Sequence, residues 1–189
     1  MSDLVYPLTT APVEKGGKGE RAAEMLPIVD DGGVVVSQAS RTYCHGPRRP
    51  LHPVVHLHLV NRSGCIYLQK RSMTKALLPG LWDSAVGGHI SYGEYVPEAL
   101  YRESGEELGL FDFNPIPLGP YIYEGKCERE LVFPFAAVGD FSLDPSNDEV
   151  SEGRWWTPAE IDAATGKGVL TPLFEQEYAR FRDKFPALL

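Results

Sequence analysis

A chain of 189 residues that is 43% hydrophobic and 23% charged has the length for one sizeable core and an ordinary globular balance, and no stretch of it has the apolar length of a membrane span. Its formal net charge of −8 excludes a protein that grips a nucleic-acid polymer through a broad basic surface, because such binding needs clustered Lys and Arg. Phosphate groups remain accessible to an acidic chain only through metal ions or a small local basic clamp. Cys44, Cys65 and Cys127 give neither a disulfide framework nor a zinc-finger spacing and suit a reducing compartment. The opening MSDLVYPLTT lacks the basic start and apolar run of a secretory signal, so a cytoplasmic location is expected.

Residues 1–25 mix Gly, Lys, Glu and Pro without either apolar periodicity and read as a flexible tail, which leaves 26–189 as one domain. Strand-like runs follow at Val34–Val36, Val54–Val60 and Cys65–Gln69, with Asn61 to Gly64 as a hairpin connection between the last two. Pro79 and Gly80 mark a turn before a short strand, Trp82–Val86, which leads into Gly87, Gly88 and His89. The spacing then predicts a helix over Val96–Leu108, with Pro97 tolerated in its first turn and Gly109 as its stop. Strands are expected at Pro117–Tyr123, Glu130–Val138 and Gly153–Trp156. Thr157 and Glu160 form a capping box for a short helix from Pro158, and a longer helix spans Pro172–Phe185 with an apolar stripe of Leu173, Phe174, Tyr178 and Phe181. The order implies an α+β fold in which a mixed sheet lies between helices, an α/β/α sandwich.

Wound at 100° per residue, the central helix places Val96, Ala99 and Leu100 on one stripe that Glu103 and Glu107 continue, with Glu106 just beside it. The inward face therefore turns acidic halfway along. Carboxylates facing the protein lose hydration, and those three or four residues apart repel one another. Arg102 reaches Glu98 and Glu106 at helical spacing but points off the stripe, so it does not neutralise all three. Hard Mg²⁺ or Mn²⁺, which prefer oxygen ligands, would.

The spacing around that helix is specific. Gly88, five residues, Glu94, seven residues, Arg102-Glu103, two residues, Glu106-Glu107, one residue and Gly109-Leu110 resemble the full pattern of the Nudix box. Ser104 departs from it, standing where the box has an aliphatic residue. The resemblance implies the Nudix fold and a loop-helix-loop that binds Mg²⁺ or Mn²⁺ through Gly88, Glu103, Glu106 and Glu107. It also implies attack of water on a nucleoside diphosphate derivative or another diphosphate-linked small molecule. Arg102, Glu103, Glu106 and Glu107 are the catalytic residues so implied, with Glu103 the first choice as general base.

Further residues resemble the isopentenyl-diphosphate-isomerase-like branch of this superfamily. That likeness implies a second metal site of His45, His52, His89, Glu128 and Glu130 and a diphosphate clamp of Arg71 and Lys75, with a homodimer as the assembly. Mg²⁺, Mn²⁺ or Zn²⁺ suits such a ligand set. Isomerisation itself meets an obstacle at Gly87, where the isomerases place a proton-transferring cysteine; neither Cys44 nor Cys127 takes its place. Hydrolysis is therefore the first reading, isomerisation the second and a non-catalytic diphosphate sensor the third, the last opposed by the intact glutamates. Tyr92, in the loop before the helix, is read as a substrate contact. His56 and His58 read as a polar strand face, Tyr95, Trp155 and Trp156 as packing, and Glu149 and Glu152 as a solvated loop.

Overall fold

The computed structural model describes residues 24–75, 77–126, 128–145 and 150–189. All but Glu24 and Met25 of the expected tail therefore lie outside the described residues, as do Cys127 and Glu149. In chain order the elements are β1 (Met25–Val29), β2 (Val35–Ser40), α1 (Arg41–Cys44), β3 (His52–Val60), β4 (Ile66–Arg71), β5 (Trp82–Asp83) and β6 (Val86–His89). They continue with α2 (Val96–Leu108), β7 (Ile116–Pro117), β8 (Tyr121–Glu124), β9 (Arg129–Val138), β10 (Val150–Trp156), α3 (Pro158–Ala164), α4 (Pro172–Phe181) and a 3₁₀ turn (Phe185–Leu188). The fold is α+β with a mixed sheet: strands run in the order β10-β4-β3-β9-β7, with β5 on β4, β6 on β3 and β8 on β9. Among the described residues no helix is long and apolar enough to cross a membrane.

The described residues form two compact units, one within Met1–Val55, Gly88–Leu100 and Pro120–Phe133, the other within His56–Gly87, Tyr101–Gly119 and Pro134–Leu189. In the first, β1 and β2 make an antiparallel hairpin. Its turn is closed by the Asp30 carboxylate, which accepts from the backbone N–H groups of Gly32 and Val34, both at 2.9 Å, as Asp does in tight turns. The side chain of Ser40 then caps α1 by accepting from Tyr43 N at 3.3 Å. Neither β1 nor α1 is expected from sequence. Pro27 sits in the middle of β1 and weakens its strand signature, and four residues of α1 are too few to display a period.

In the second unit the β3–β4 hairpin turns at Asn61, whose side-chain oxygen accepts from Ser63 N at 3.0 Å and Cys65 N at 2.9 Å. Helix α2 has the expected bounds, Val96–Leu108. At its end Gly109 takes φ +62°, a left-handed conformation suited to glycine, and its N–H donates to Gly105 O at 3.1 Å. The strand expected at Pro117–Tyr123 divides into β7 and β8 because Gly119, at φ +98°, turns the chain between them. The terminal helix stops at Phe181 rather than Phe185, consistent with Pro186, which disfavours α geometry at the residue before it.

The capping box is present as expected. Thr157 Oγ1 accepts from Glu160 N at 3.3 Å, and the Glu160 carboxylate accepts from Thr157 N at 2.8 Å. Thr157→Ala should lower stability by about 1 kcal/mol, read as a shift of the urea midpoint with unchanged m-value.

The polar strand face expected of His56 and His58 lies inside the core of this second unit: both are buried and turn toward Glu177 of α4. His56 Nδ1 lies 2.9 Å and His58 Nε2 3.1 Å from the same carboxylate oxygen. Around His58 stand the rings of Phe174, Phe181 and Phe185, with centroids 5.5 to 6.4 Å away. Trp156 is buried edge-on to Trp82 at 5.1 Å and Trp155 meets Tyr67 at 5.4 Å, so both tryptophans pack as expected.

Candidate functional site

The three glutamates in the second half of α2 divide by exposure. The Glu103 side chain is 13% exposed and Glu107 is 5% exposed, whereas the Glu106 side chain is 61% exposed, which matches a position at the margin of the stripe. Glu107 Oε2 accepts from Gln69 Nε2 of β4 at 2.8 Å and from the backbone N–H of Gly87 at 3.3 Å. Arg102 is not simply turned away from the stripe. Its guanidinium donates to Glu103 at 2.7 Å and lies 3.5 Å from Glu106. Ser104 is fully buried, so the departure from the aliphatic position falls on the packed side of the helix.

Electrostatics follow from burial. Loss of hydration pushes the Glu103 carboxyl up to about 7, against the opposing pull of Arg102 and with further upward pressure from Glu107 and Glu106. Burial likewise raises Glu107, opposed by the Gln69 hydrogen bond, the Lys75 ammonium and the Gly87 N–H. Burial thus penalises the ionised form of both carboxyls, a cost that a divalent cation bound at this helix face would offset.

The basic residues sit in the segment after β4. Arg71 donates through Nε and Nη2 to Leu77 O at 3.2 and 3.1 Å and through Nη1 to Asp83 at 3.4 Å. It thereby shapes the 72–81 loop. The Lys75 ammonium acts on Glu107, drawing its carboxyl down against the effect of burial. Glu152, set aside as solvated, is 54% exposed in its side chain and lies 3.9 Å from Lys70.

In the first unit the three histidines expected to share a metal do come together. The ligand atoms of His45, His52 and His89 lie within 4.8 Å of one another. His45 Nε2 is 3.0 Å from His89 Nε2, His45 Nδ1 is 3.5 Å from Glu128 Oε1, and His52 Nε2 is 3.8 Å from Glu130 Oε1. His52 Nδ1 stands 2.9 Å from Pro50 O, which can only accept, so the proton resides on Nδ1 and the lone pair on Nε2. That buried lone pair faces a carboxylate oxygen. Burial lowers His45 to about 4, with His52 and Arg41 adding to the effect, and burial also lowers His52. The imidazoles of His45 and His52, which burial holds neutral, and the acidic oxygens beside them are donor types that fit a divalent metal. Gly88 lies buried in β6 beside His89, and Tyr92, in the loop before α2, donates its backbone N–H to Met25 O at 2.8 Å.

Residues whose partners sequence reasoning missed are Gln69, Asp83, His56 and Glu177. Gln69 is a buried polar residue closing the apolar run of β4, and Glu177 falls on the apolar stripe of α4 between Phe174 and Phe181. A polar residue interrupting an apolar face was the signal available for each.

The NUDIX domain model matches residues 50–175, more than half of the chain. The chain belongs to the Nudix family. Two similar proteins support that placement. The Nudix hydrolase YfcD of Escherichia coli (strain K12) is 35% identical over 147 residues, covering 75% of this chain and 78% of that protein. An isopentenyl-diphosphate Δ-isomerase of Brevibacterium linens is 30% identical over 147 residues, covering 75% of this chain and 81% of the relative. The crystal structure of DR0079 from Deinococcus radiodurans superposes with a TM-score of 0.71 at 26% identity, covering 83% of this chain and 98% of that one. This Nudix protein is thus a hydrolase enzyme by family, with relatives in both branches that its residues resemble.

Proposed function

We propose that this Nudix protein is a divalent-cation-dependent hydrolase, working with Mg²⁺ or Mn²⁺ on the phosphoanhydride bond of a nucleoside diphosphate derivative or another diphosphate-linked small molecule. The observation that carries the reading is the pair Glu103 and Glu107, withdrawn from water on one helix face while burial raises both carboxyls. A divalent cation bound there would neutralise charge on phosphate oxygens and lower the pKa of a water.

The chain's own residues have separable tasks in this reading. Gln69 and the Gly87 N–H fix one oxygen of Glu107, which limits rotation of its carboxylate. Arg102 holds Glu103 at 2.7 Å and keeps it oriented as the general base for water. Lys75 meets the diphosphate, and Arg71 organises the loop that carries Lys75 and contributes positive charge beside it. Tyr92 is assigned to contact with the rest of the substrate. Incubation with a panel of nucleoside diphosphate derivatives such as ADP-ribose, with Mg²⁺ or Mn²⁺, should yield a mononucleotide product that EDTA abolishes. No turnover across the panel, or turnover indifferent to EDTA, would contradict the reading.

The histidine cluster favours a second bound metal and keeps isomerisation as the second reading. Elemental analysis of protein grown with Zn²⁺ and Mn²⁺ should find a bound metal that His52→Ala and Glu130→Gln lose; equal metal content in all three proteins would count against the site. Glycine at position 87 supplies no proton. Solvent hydrogen exchange into isopentenyl diphosphate should accordingly be absent, and its appearance would promote isomerisation over hydrolysis.

A further inference from the structure

On the reading of His45, His52, His89, Glu128 and Glu130 as ligands of one metal ion, we propose that Arg49 is a positioning residue for that site. Its backbone turns the chain between His45 and His52, and its side chain ties this turn to the connection that carries Glu128. All of these groups belong to the first unit. Arg49 takes φ +41°, a left-handed geometry that crowds its Cβ and that glycine would adopt freely. Pro50 follows, and a proline favours extended backbone at the residue before it, so the conformation is opposed twice. Strain of this kind persists where surrounding contacts impose it, and it collects at ligand clamps. The Arg49 N–H closes a turn on Gly46 O at 3.2 Å, directly after His45, and the chain then delivers Pro50 O to within 2.9 Å of His52 Nδ1. That carbonyl keeps the proton on Nδ1 and so leaves a lone pair on Nε2, an atom that is buried and has no hydrogen-bond partner among the described residues. A metal ion would engage it.

The guanidinium of the same residue reaches the opposite wall. Arg49 Nη1 donates to Gly125 O at 2.6 Å and to Lys126 O at 3.3 Å, carbonyls 76 and 77 residues away in the connection between β8 and β9. The Gly125 N–H donates to Glu128 O at 2.9 Å and closes that connection. Glu128 Oε1 then lies 3.5 Å from His45 Nδ1, and Glu130 Oε1, two residues on, lies 3.8 Å from His52 Nε2. Arg49 thus spans from the turn that joins two of the histidines to the segment that supplies both carboxylates. It is itself exposed, where water would serve the guanidinium almost equally well, so these bonds add little stability. What they set is the separation of the two walls.

Zn²⁺ binding separates this role from a structural one. In titrations against a chelating dye, the histidine site is the Zn²⁺ equivalent that wild type holds and that His52→Ala and Glu130→Gln lose. Arg49→Ala removes the guanidinium, and Arg49→Gly removes it while also relieving the left-handed backbone. Each should bind that equivalent roughly 10- to 100-fold more weakly, the cost of losing a group that orients metal ligands. Arg49→Lys, which returns one donor to the Gly125 carbonyl, should recover affinity to within about three-fold of wild type. Without metal, Arg49→Gly should melt within about 2 °C of wild type, since relief of strain offsets the lost surface bonds. Wild-type Zn²⁺ affinity in Arg49→Gly overturns the inference, as does an affinity loss that only follows a lowered metal-free midpoint. If the equivalent is present in wild type and indifferent to Arg49, the metal reading of the cluster stands and the role of Arg49 alone falls. If wild type holds no equivalent that His52→Ala and Glu130→Gln lose, both fall.

Discussion

Glu103→Gln and Glu107→Gln should each lower kcat on a diphosphate substrate by roughly 10² to 10⁴-fold, the range of a lost general base or of its cation's support. The same substitutions should not destabilise the protein. Burial penalises the charged forms of both carboxyls, so a neutral amide of nearly equal shape removes a desolvation cost along with the negative charge. In Glu107→Gln the amide oxygen can still accept from Gln69 and from the Gly87 N–H. Activity and stability are therefore expected to move in opposite directions, the trade-off found where a site is built from unfavourable burial. Glu106→Gln, at a side chain 61% exposed, should lose activity with no change in midpoint at all. Steady-state kinetics beside thermal melts without metal check all three, and a Gln variant that melts markedly lower while retaining wild-type kcat would reverse the assignment.

The second large effect belongs to Glu177. Removing one partner of a buried ionic network costs about 3 to 5 kcal/mol, and here Glu177→Ala would strand two imidazoles in the core beside Phe174 and Phe181. The pH dependence has a definite sign. Burial alone would raise the Glu177 carboxyl, but the charges and hydrogen bonds of His56 and His58 overcome it and hold the group well below its ordinary value of 4.5. Because the folded-state value lies below the unfolded one, this stabilisation is fully present above about pH 4.5 and is lost as the pH falls from there toward the folded-state value. Chemical denaturation at several pH values should show that acid loss in wild type and a flatter profile in Glu177→Gln. Parallel profiles would mean that Glu177 is not ionised in the folded protein.

Much of the acidic helix was legible because its signal is local. Val96–Leu108 is bounded by a tolerated proline and a stopping glycine, and the 3.6-residue period alone puts Glu103 and Glu107 on the inward stripe. The histidine cluster was readable only through resemblance, since His45, His52 and His89 come from a loop and two strands whose convergence no period encodes. What escaped is what depends on tertiary pairing. The alternation of His56 and His58 looks the same whether a strand faces water or a helix, and the partner that decides it, Glu177, lies 121 residues from His56. Gln69 and the Gly87 N–H likewise acquire meaning only once β4, β6 and α2 bring them to one carboxylate oxygen. The split of β7 from β8 was hidden for a smaller reason, the left-handed turn of Gly119 inside an otherwise continuous apolar pattern.

One measurement bears most directly on the central claim. A crystal soaked in MnCl₂ and recorded at the manganese absorption edge should give an anomalous peak beside the carboxylates of Glu103 and Glu107, weakened or lost in Glu107→Gln. A map with no peak at that helix face, under conditions in which Mn²⁺ supports turnover, would contradict the claim that these buried acids are there to hold the cation.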